Sequence, residues 1–384
     1  MNDCIELRGE WPTSPDEEGR RQAYREGLMA LQAEMGRRGA TPFHLEALTV
    51  GTPEGALDPQ GRHYERIFRH LFGGVQPQFR RVVADTLTLT ATLAAVRPGE
   101  ASPAPVWHGL TAAQVGRAYS PRATVPEAPE IFEAWRRRGD ACLAGEGVVR
   151  DLAYGPGERQ RLDLLLAEAP GAPLHVFLHG GYWQAMDKDD HAHLFAPLRE
   201  RGVNVALIEY TLAPQATLAD QVEEVRQAIA FLWRQAATYG YDRQRLQLSG
   251  HSAGGHLGAW LLATDWPARE AGMPAQPFGS ALLVSGLYEL EPLRHLPFGP
   301  LVGLTSTERA RDGSPIHVHP SPGARLCLAV GEQESEEFHW QSRALAEAWG
   351  GEVEVLSLAG THHFSVMETF QEGELMARAL RYLG

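Results

Sequence analysis

Ser252 lies in Gly250-His251-Ser252-Ala253-Gly254, between the strand-forming Leu246-Gln247-Leu248-Ser249 and a helix-compatible run that starts at Gly255. A serine between two such glycines, at a strand-to-helix turn, is a nucleophile elbow: a sharp bend that exposes one hydroxyl. The glycines answer to crowding, because a Cβ at Gly250 or Gly254 would collide with the neighbouring strand or helix while the turn holds Ser252 strained. The helix after Ser252 also aims unpaired backbone N–H groups at any negative charge forming there. The bland alternative is a glycine-rich turn with an incidental serine. What separates the two is company: acyl transfer needs a base, an acid to orient it and an oxyanion hole.

Each of these has a candidate at the end of an expected strand. His179-Gly180-Gly181-Tyr182-Trp183 directly follows the apolar His175-Val176-Phe177-Leu178. Its glycines let backbone N–H groups of Gly180 and Gly181 approach a developing oxyanion, with the N–H of Ala253 as partner. Losing one such donor typically costs about 2.7–4 kcal/mol in the barrier. The acid belongs after the strand Leu326 to Val330, where Glu332, Glu334, Glu336 and Glu337 compete. The base belongs last, at Gly360-Thr361-His362-His363-Phe364, with two histidines competing. His191-Ala192-His193 and His317-Val318-His319 have a spacing that suits a metal, but neither has an evident third ligand, so no metal site and no cofactor are expected.

These groups need a scaffold. From about Leu110, helices over Leu110 to Tyr119 and Ala128 to Ala144 precede strands at Val148 to Tyr154 and Arg161 to Leu166. Strands at Leu174 to Leu178, Val203 to Tyr210, Leu246 to Ser249, Ala281 to Ser285, Leu326 to Val330 and Val353 to Leu358 then alternate with helices, of which Leu218 to Tyr239 is the most amphipathic. That alternation predicts a mainly parallel sheet covered on both faces, with its site at the C-terminal strand ends. Residues 1 to 100 read as a separate small α/β unit of helix, strand, helix, strand, strand. The Pro/Ala/Ser stretch at Pro98 to Pro105 suits a linker, the linker itself is drawn at 101–109, and a catalytic domain follows over 110–384.

The chain has 384 residues, 43% of them hydrophobic, and a net charge of −13. That balance, with no basic cluster, argues against nucleic-acid or anionic-membrane partners and leaves a small molecule as the expected ligand. Lys188 is the only lysine. Three scattered cysteines, no apolar leader and no membrane-spanning run fit a protein of the reducing cytoplasm.

Five stretches carry a resemblance to the α/β-hydrolases, and among them to the kynurenine formamidases (arylformamidases). They are Ala118-Tyr119-Ser120-Pro121, HGGYW at 179–183, GHSAGGHL at 250–257, ESEEFHWQS at 334–342 and HHFSVME at 362–368. The resemblance implies Ser252 as nucleophile, Glu334 as acid (an Asp in the animal members), His363 as base, and Gly180, Gly181 and Ala253 as oxyanion donors. Glu332 stays in reserve as the acid. It further implies hydrolysis of an N-formyl arylamine, such as N-formylkynurenine in tryptophan catabolism, without a cofactor. Tyr182, Trp183 and Phe364 would wall the aryl ring or simply pack the loop. A carboxylesterase for short acyl esters is the alternative within the fold, and a non-catalytic scaffold the alternative outside it.

Residues 15–97 resemble part of the YjgF/RidA family, small α/β proteins that often form trimers and include enamine/imine deaminases. The resemblance lies in the turn VGTPEGALDP at 50–59 and in IFRHLFGG at 67–74. The family's catalytic arginine is missing from Asp85-Thr86-Leu87, and its first hairpin is not evident. An assembly role, as a homo-oligomer, is therefore expected of this unit rather than deaminase chemistry.

Overall fold

The computed structural model describes residues 3–10, 16–53, 57–94 and 104–383. The chain divides into two compact units, Met1–Ser102 with Gln184–Met186, and Pro103–Trp183 with Asp187–Gly384.

The first unit is a four-stranded sheet with two helices. Its strands β1 (Asp3–Gly9), β2 (Leu45–Thr52), β3 (Gln78–Val83) and β4 (Leu87–Leu93) lie in the order β1-β4-β2-β3. The helix Glu17–Arg37 buries Tyr24, Leu28, Leu31 and Met35 at the spacing of one helical face. These pack with Ile67, Phe68 and Leu71 of the helix Arg62–Phe72 over Leu48, Val50, Leu89 and Ala91 of the sheet. Strand β1 is an addition to the expected pattern: it pairs antiparallel with β4 from Asp3↔Leu93 to Gly9↔Leu87. Asp85 and Thr86 form the turn before β4, and the Thr86 hydroxyl donates to the Gly9 carbonyl.

In the second unit the expected linker is corrected. Residues 101–103 lie outside the described set, but β5 (Pro105–Trp107) and β6 (Leu110–Thr111) already form a hairpin. His108 and Gly109, with φ of 44° and 75°, make its two-residue turn, which needs a left-handed conformation at both positions. The first helix therefore starts at Ala112, with Thr111 as its N-cap in a capping box with Gln114.

The main sheet has eight strands: β7 (Val148–Ala153), β8 (Arg161–Leu165), β9 (Ala172–Leu178), β10 (Asn204–Ile208), β11 (Tyr241–His251), β12 (Phe278–Val284), β13 (Arg325–Gly331) and β14 (Val353–Leu358). Their order is β14-β13-β12-β11-β9-β10-β8-β7. The six from β14 to β10 run parallel, and β8 and β7 close the edge antiparallel. This is the mainly parallel α/β sheet that the alternation predicts. Central β9 is buried along its whole length, so it has no solvent face. Leu174, Val176 and Leu178 join the core with Val222, Val225 and Ile229 of the helix Leu218–Tyr239 and with Leu257 and Leu261 of the helix Ala253–Leu262. The intervening His175 and Phe177 face the other way, onto Phe195 at ring distances of 5.2 and 4.6 Å. Period-two alternation thus serves two apolar layers at once.

Two buried polar clusters fix this sheet. His175 bridges β9 to β11, bonded to Gln247 Oε1 at 2.7 Å and Ser249 Oγ at 2.6 Å, and burial pushes its pKa down to about 4. Lys188 is 1% exposed and bonds Asp163 at 2.7 Å, Asp189 at 2.6 Å and Asp151 at 3.1 Å. Burial opposes its charge, but Asp189, Asp163 and Asp187 outweigh that and hold its pKa above the ordinary lysine value. Among the described residues no helix is long and apolar enough to cross a membrane.

Candidate active site

Strand β11 carries Ser252 at its C-terminal end. The serine has φ 55° and ψ −116°, and the helix Ala253–Leu262 starts at the next residue. Such a left-handed conformation is costly for a non-glycine residue and persists only where the surroundings over-determine it. Here they do: the Ser252 N–H donates to Val284 O at 2.8 Å, and its carbonyl accepts from His256 N at 3.2 Å. A Cβ on Gly250 would strike the Gly254 carbonyl, and one on Gly254 would strike that of Leu178. Both glycines are therefore required by close backbone approach.

The loop after β9 comes in beside the serine. A Cβ on Gly180 would stand 3.2 Å from Ser252 Cβ and 3.0 Å from the His251 carbonyl. Gly181, Tyr182 and Trp183 follow with φ of 106°, 50° and 60°, a run that turns the backbone back on itself. Among the described residues none accepts a hydrogen bond from the backbone N–H of Gly180, Gly181 or Ala253, so all three donors stay available. His179 holds the loop's base. Its Nε2 meets Glu209 Oε1 at 2.9 Å, its Nδ1 meets Gly180 O at 2.8 Å, and its ring stacks on Tyr210 at 4.4 Å. Tyr210 in turn donates from its hydroxyl to His179 O at 2.9 Å.

The two competing histidines separate clearly. His362 Nδ1 accepts the N–H groups of Phe364 and Ser365, each at 3.2 Å, and caps its own turn. His363 is buried and its Nδ1 lies 2.6 Å from Glu334 Oε2. The carboxylates separate as well. Glu334 Oε1 accepts the Ser285 hydroxyl at 2.5 Å and Gly331 N–H at 2.8 Å. Glu332 instead accepts Gly360 N–H at 2.8 Å from an exposed position, Glu336 pairs with Arg343 at the surface, and Glu337 takes bonds from Trp107 and Tyr119. The serine and histidine loops are tied directly: His251 Nε2 donates to His363 O at 2.9 Å. Burial, with the neighbouring His363 and His191 adding to it, drives the His251 pKa far below the usual histidine value, so it serves as a neutral donor.

The three aromatic candidates fare differently. Phe364 packs edge-on to His363 at 5.3 Å and to Phe132 at 4.9 Å. The Tyr182 ring lies 4.6 Å from Phe298, and its hydroxyl donates to Tyr119 O at 2.5 Å. Trp183 must be corrected. It is 0% exposed, its Nε1 donates to His256 Nδ1 at 3.1 Å, and it belongs to the core, so it walls no substrate. Among the described residues there is no group of three or more side chains suited to a metal.

Residues 162–270 match the BD-FAE family. A kynurenine formamidase of Danio rerio is 32% identical over 245 residues, covering 61% of this chain and 80% of that protein. The chain belongs to the kynurenine formamidase family of α/β-hydrolases. An isoprenylcysteine alpha-carbonyl methylesterase of Arabidopsis thaliana is 37% identical over 117 residues, 30% of this chain and 27% of that one. The crystal structure of a suggested thioesterase from Silicibacter sp. tm1040 superposes with a TM-score of 0.62 at 29% identity, over 69% of this chain and 98% of that one. A formamidase-family hydrolase is thus what the HGGYW and ESEEF stretches pointed to.

Three groups around this hydrolase site were not singled out in the sequence: Ser285, His251 as a loop tie, and Glu209 beneath His179. Ser285 directly follows β12, one strand over from the elbow, and its local mark is a φ of 50°. Nothing in a sequence announces a positive φ at a serine. His251 and Glu209 were discoverable in principle, since each is a polar residue at the inner end of a strand whose other residues are apolar.

Proposed function

We propose that Ser252 is the nucleophile of a formamide hydrolysis, with His363 as its base and Glu334 as the acid that orients the imidazole. The supporting observation is the doubly anchored carboxylate: Glu334 gives one oxygen to His363 Nδ1 and has the other fixed by Ser285 and Gly331. With Nδ1 committed, Nε2 is the nitrogen free to take the serine proton. Ser252 Oγ attacks the formyl carbon of N-formylkynurenine or a related formylated aromatic amine, and its proton passes to His363. The oxyanion is received by the N–H groups of Gly180, Gly181 and Ala253. The C–N bond then breaks as His363 returns the proton to the arylamine nitrogen. Water, deprotonated by His363, cleaves the formyl-serine to formate and restores the hydroxyl. Tyr182 and Phe364 remain the candidate walls for the aryl group.

The substrate rests on likeness to the formamidases. The local likeness to a methylesterase favours one second reading, hydrolysis of short acyl esters on the same residues. Measuring kcat/KM on N-formylkynurenine and on a p-nitrophenyl ester decides between them: formamide turnover should dominate, and good ester turnover with undetectable formamide turnover would sink the formamidase reading. Ser252→Ala must abolish both. For residues 1–100 the proposal is assembly. If the full chain and a chain starting near Ser102 sediment with the same subunit number, that part is wrong.

A further inference from the structure

A cavity of about 470 Å³ lies between the start of the helix Leu218–Tyr239, the helix Ala253–Leu262 and the segment 302–313. Its volume is in the range of small-molecule sites. Ser252, Glu334 and His363 take no part in its lining. Leu218, Val222, Trp260, Val302 and Leu304 give it an apolar wall.

The polar part of the lining is more telling. His256 has both ring nitrogens engaged: Nδ1 accepts from Trp183 Nε1 at 3.1 Å and Nε2 donates to Gly313 O at 2.8 Å. It has nothing left to offer a ligand. Arg226 is different. It is largely buried, with 19% of its side chain exposed, and its Nε donates to Thr264 Oγ1 at 3.0 Å. Its carboxylate neighbour, Glu223, stands 3.7 Å away and is held at 2.8 Å by a second guanidinium, that of Arg269. Glu223 is thus shared by two guanidiniums, and Arg226 reaches it only at the longer distance. Burial, followed by repulsion from Arg269, lowers the Arg226 pKa accordingly. The other two charges in the lining, Arg309 and Asp312, are exposed and of opposite sign, so they offset each other.

We propose that this cavity is a second ligand site, one that takes a small amphiphilic monocarboxylate. The apolar body lies along Trp260, Val222 and Leu304, and the carboxylate completes the coordination of Arg226, whose planar fork suits two-oxygen acceptors. A neutral or cationic molecule of the same size offers Arg226 no carboxylate acceptor. The site shares a wall with the oxyanion loop through the Trp183–His256 hydrogen bond, yet it stands apart from the serine.

The test is titration calorimetry of the full chain with octanoate, beside 1-octanol and octylammonium at the same ionic strength. Saturable binding of one octanoate per chain is expected, at least tenfold tighter than either comparator. Arg226→Gln should weaken it at least tenfold, and Leu304→Trp, which fills the apolar end, should do the same. Thermal unfolding of both variants without ligand establishes that they are folded. Absence of saturable octanoate binding overturns the proposal. Equal binding of octanol overturns the carboxylate preference, and binding that both folded variants leave intact places the ligand elsewhere and overturns the site.

Discussion

The Ser285 hydroxyl donates a 2.5 Å hydrogen bond to Glu334, on the oxygen opposite the one that meets His363. The carboxylate is thereby pinned at both ends, and its plane is set by a residue of the neighbouring strand. Ser285→Ala removes one of the two anchors on Oε1 and leaves Gly331 N–H as the other. The expected result is a kcat lower by about tenfold, one hydrogen bond's worth of about 1.4 kcal/mol, with KM unchanged. Steady-state kinetics on protein titrated for active serines checks it. An unaltered kcat would mean that Ser285 only packs.

The two candidate acids make a paired experiment. Glu334→Gln keeps shape and loses the charge that stabilises an imidazolium, so kcat should fall by roughly 10⁴-fold, as for the corresponding amide in serine proteases. Glu332→Gln alters an exposed cap on Gly360 and should stay within about twofold. A larger loss from Glu332→Gln than from Glu334→Gln would reverse the assignment.

Adjacent aromatic residues should behave oppositely. Trp183→Phe deletes a buried hydrogen bond to His256 and opens a void, so it should cost about 2–4 kcal/mol of stability by chemical denaturation and barely change KM. Tyr182→Phe frees the ring from Tyr119 O and should leave stability within about 1.5 kcal/mol while changing KM for aryl substrates. A KM change confined to Trp183→Phe would contradict the burial assigned to it.

Acid should destabilise the fold through its buried histidines. His175 and His256 have pKa values pushed down to about 4 by burial, against 6.5 for an ordinary histidine. Between those values the unfolded chain binds protons that the native chain refuses. Stability is therefore full above pH 6.5, falls as the pH drops towards 4, and levels off below that for these two groups. Each contributes a slope of up to about 1.4 kcal/mol per pH unit. Urea denaturation of wild type and of His175→Asn across this window tests the assignment: the variant should show the shallower slope.

The parts legible in the sequence are those whose signal is local. A glycine-flanked serine and an HGG run each declare themselves within five residues, and apolar alternation declares the strands that carry them. What escaped was set at long range. Glu334 and Glu332 share one loop, and the contacts that distinguish them come from afar: Glu334 meets Ser285, 49 residues away, and His363, 29 residues away. Trp183 next to two glycines suits a cleft wall and a core anchor equally until His256 is placed against it. Strand β11 begins at Tyr241, five residues earlier than its apolar stretch, because Asp242, Arg243, Gln244 and Arg245 carry no alternation to read. Likewise β1 has little periodicity of its own and is held by its seven-residue register with β4.

The single lysine has a practical corollary. Because Lys188 is 1% exposed and clasped by carboxylates, no side-chain amine is offered to solvent by the closed molecule. An amine-directed reagent can modify that residue only during excursions in which the clasp opens, so its rate of incorporation there measures how often this part of the molecule opens. Mass spectrometry of one peptide would follow those excursions without any introduced probe.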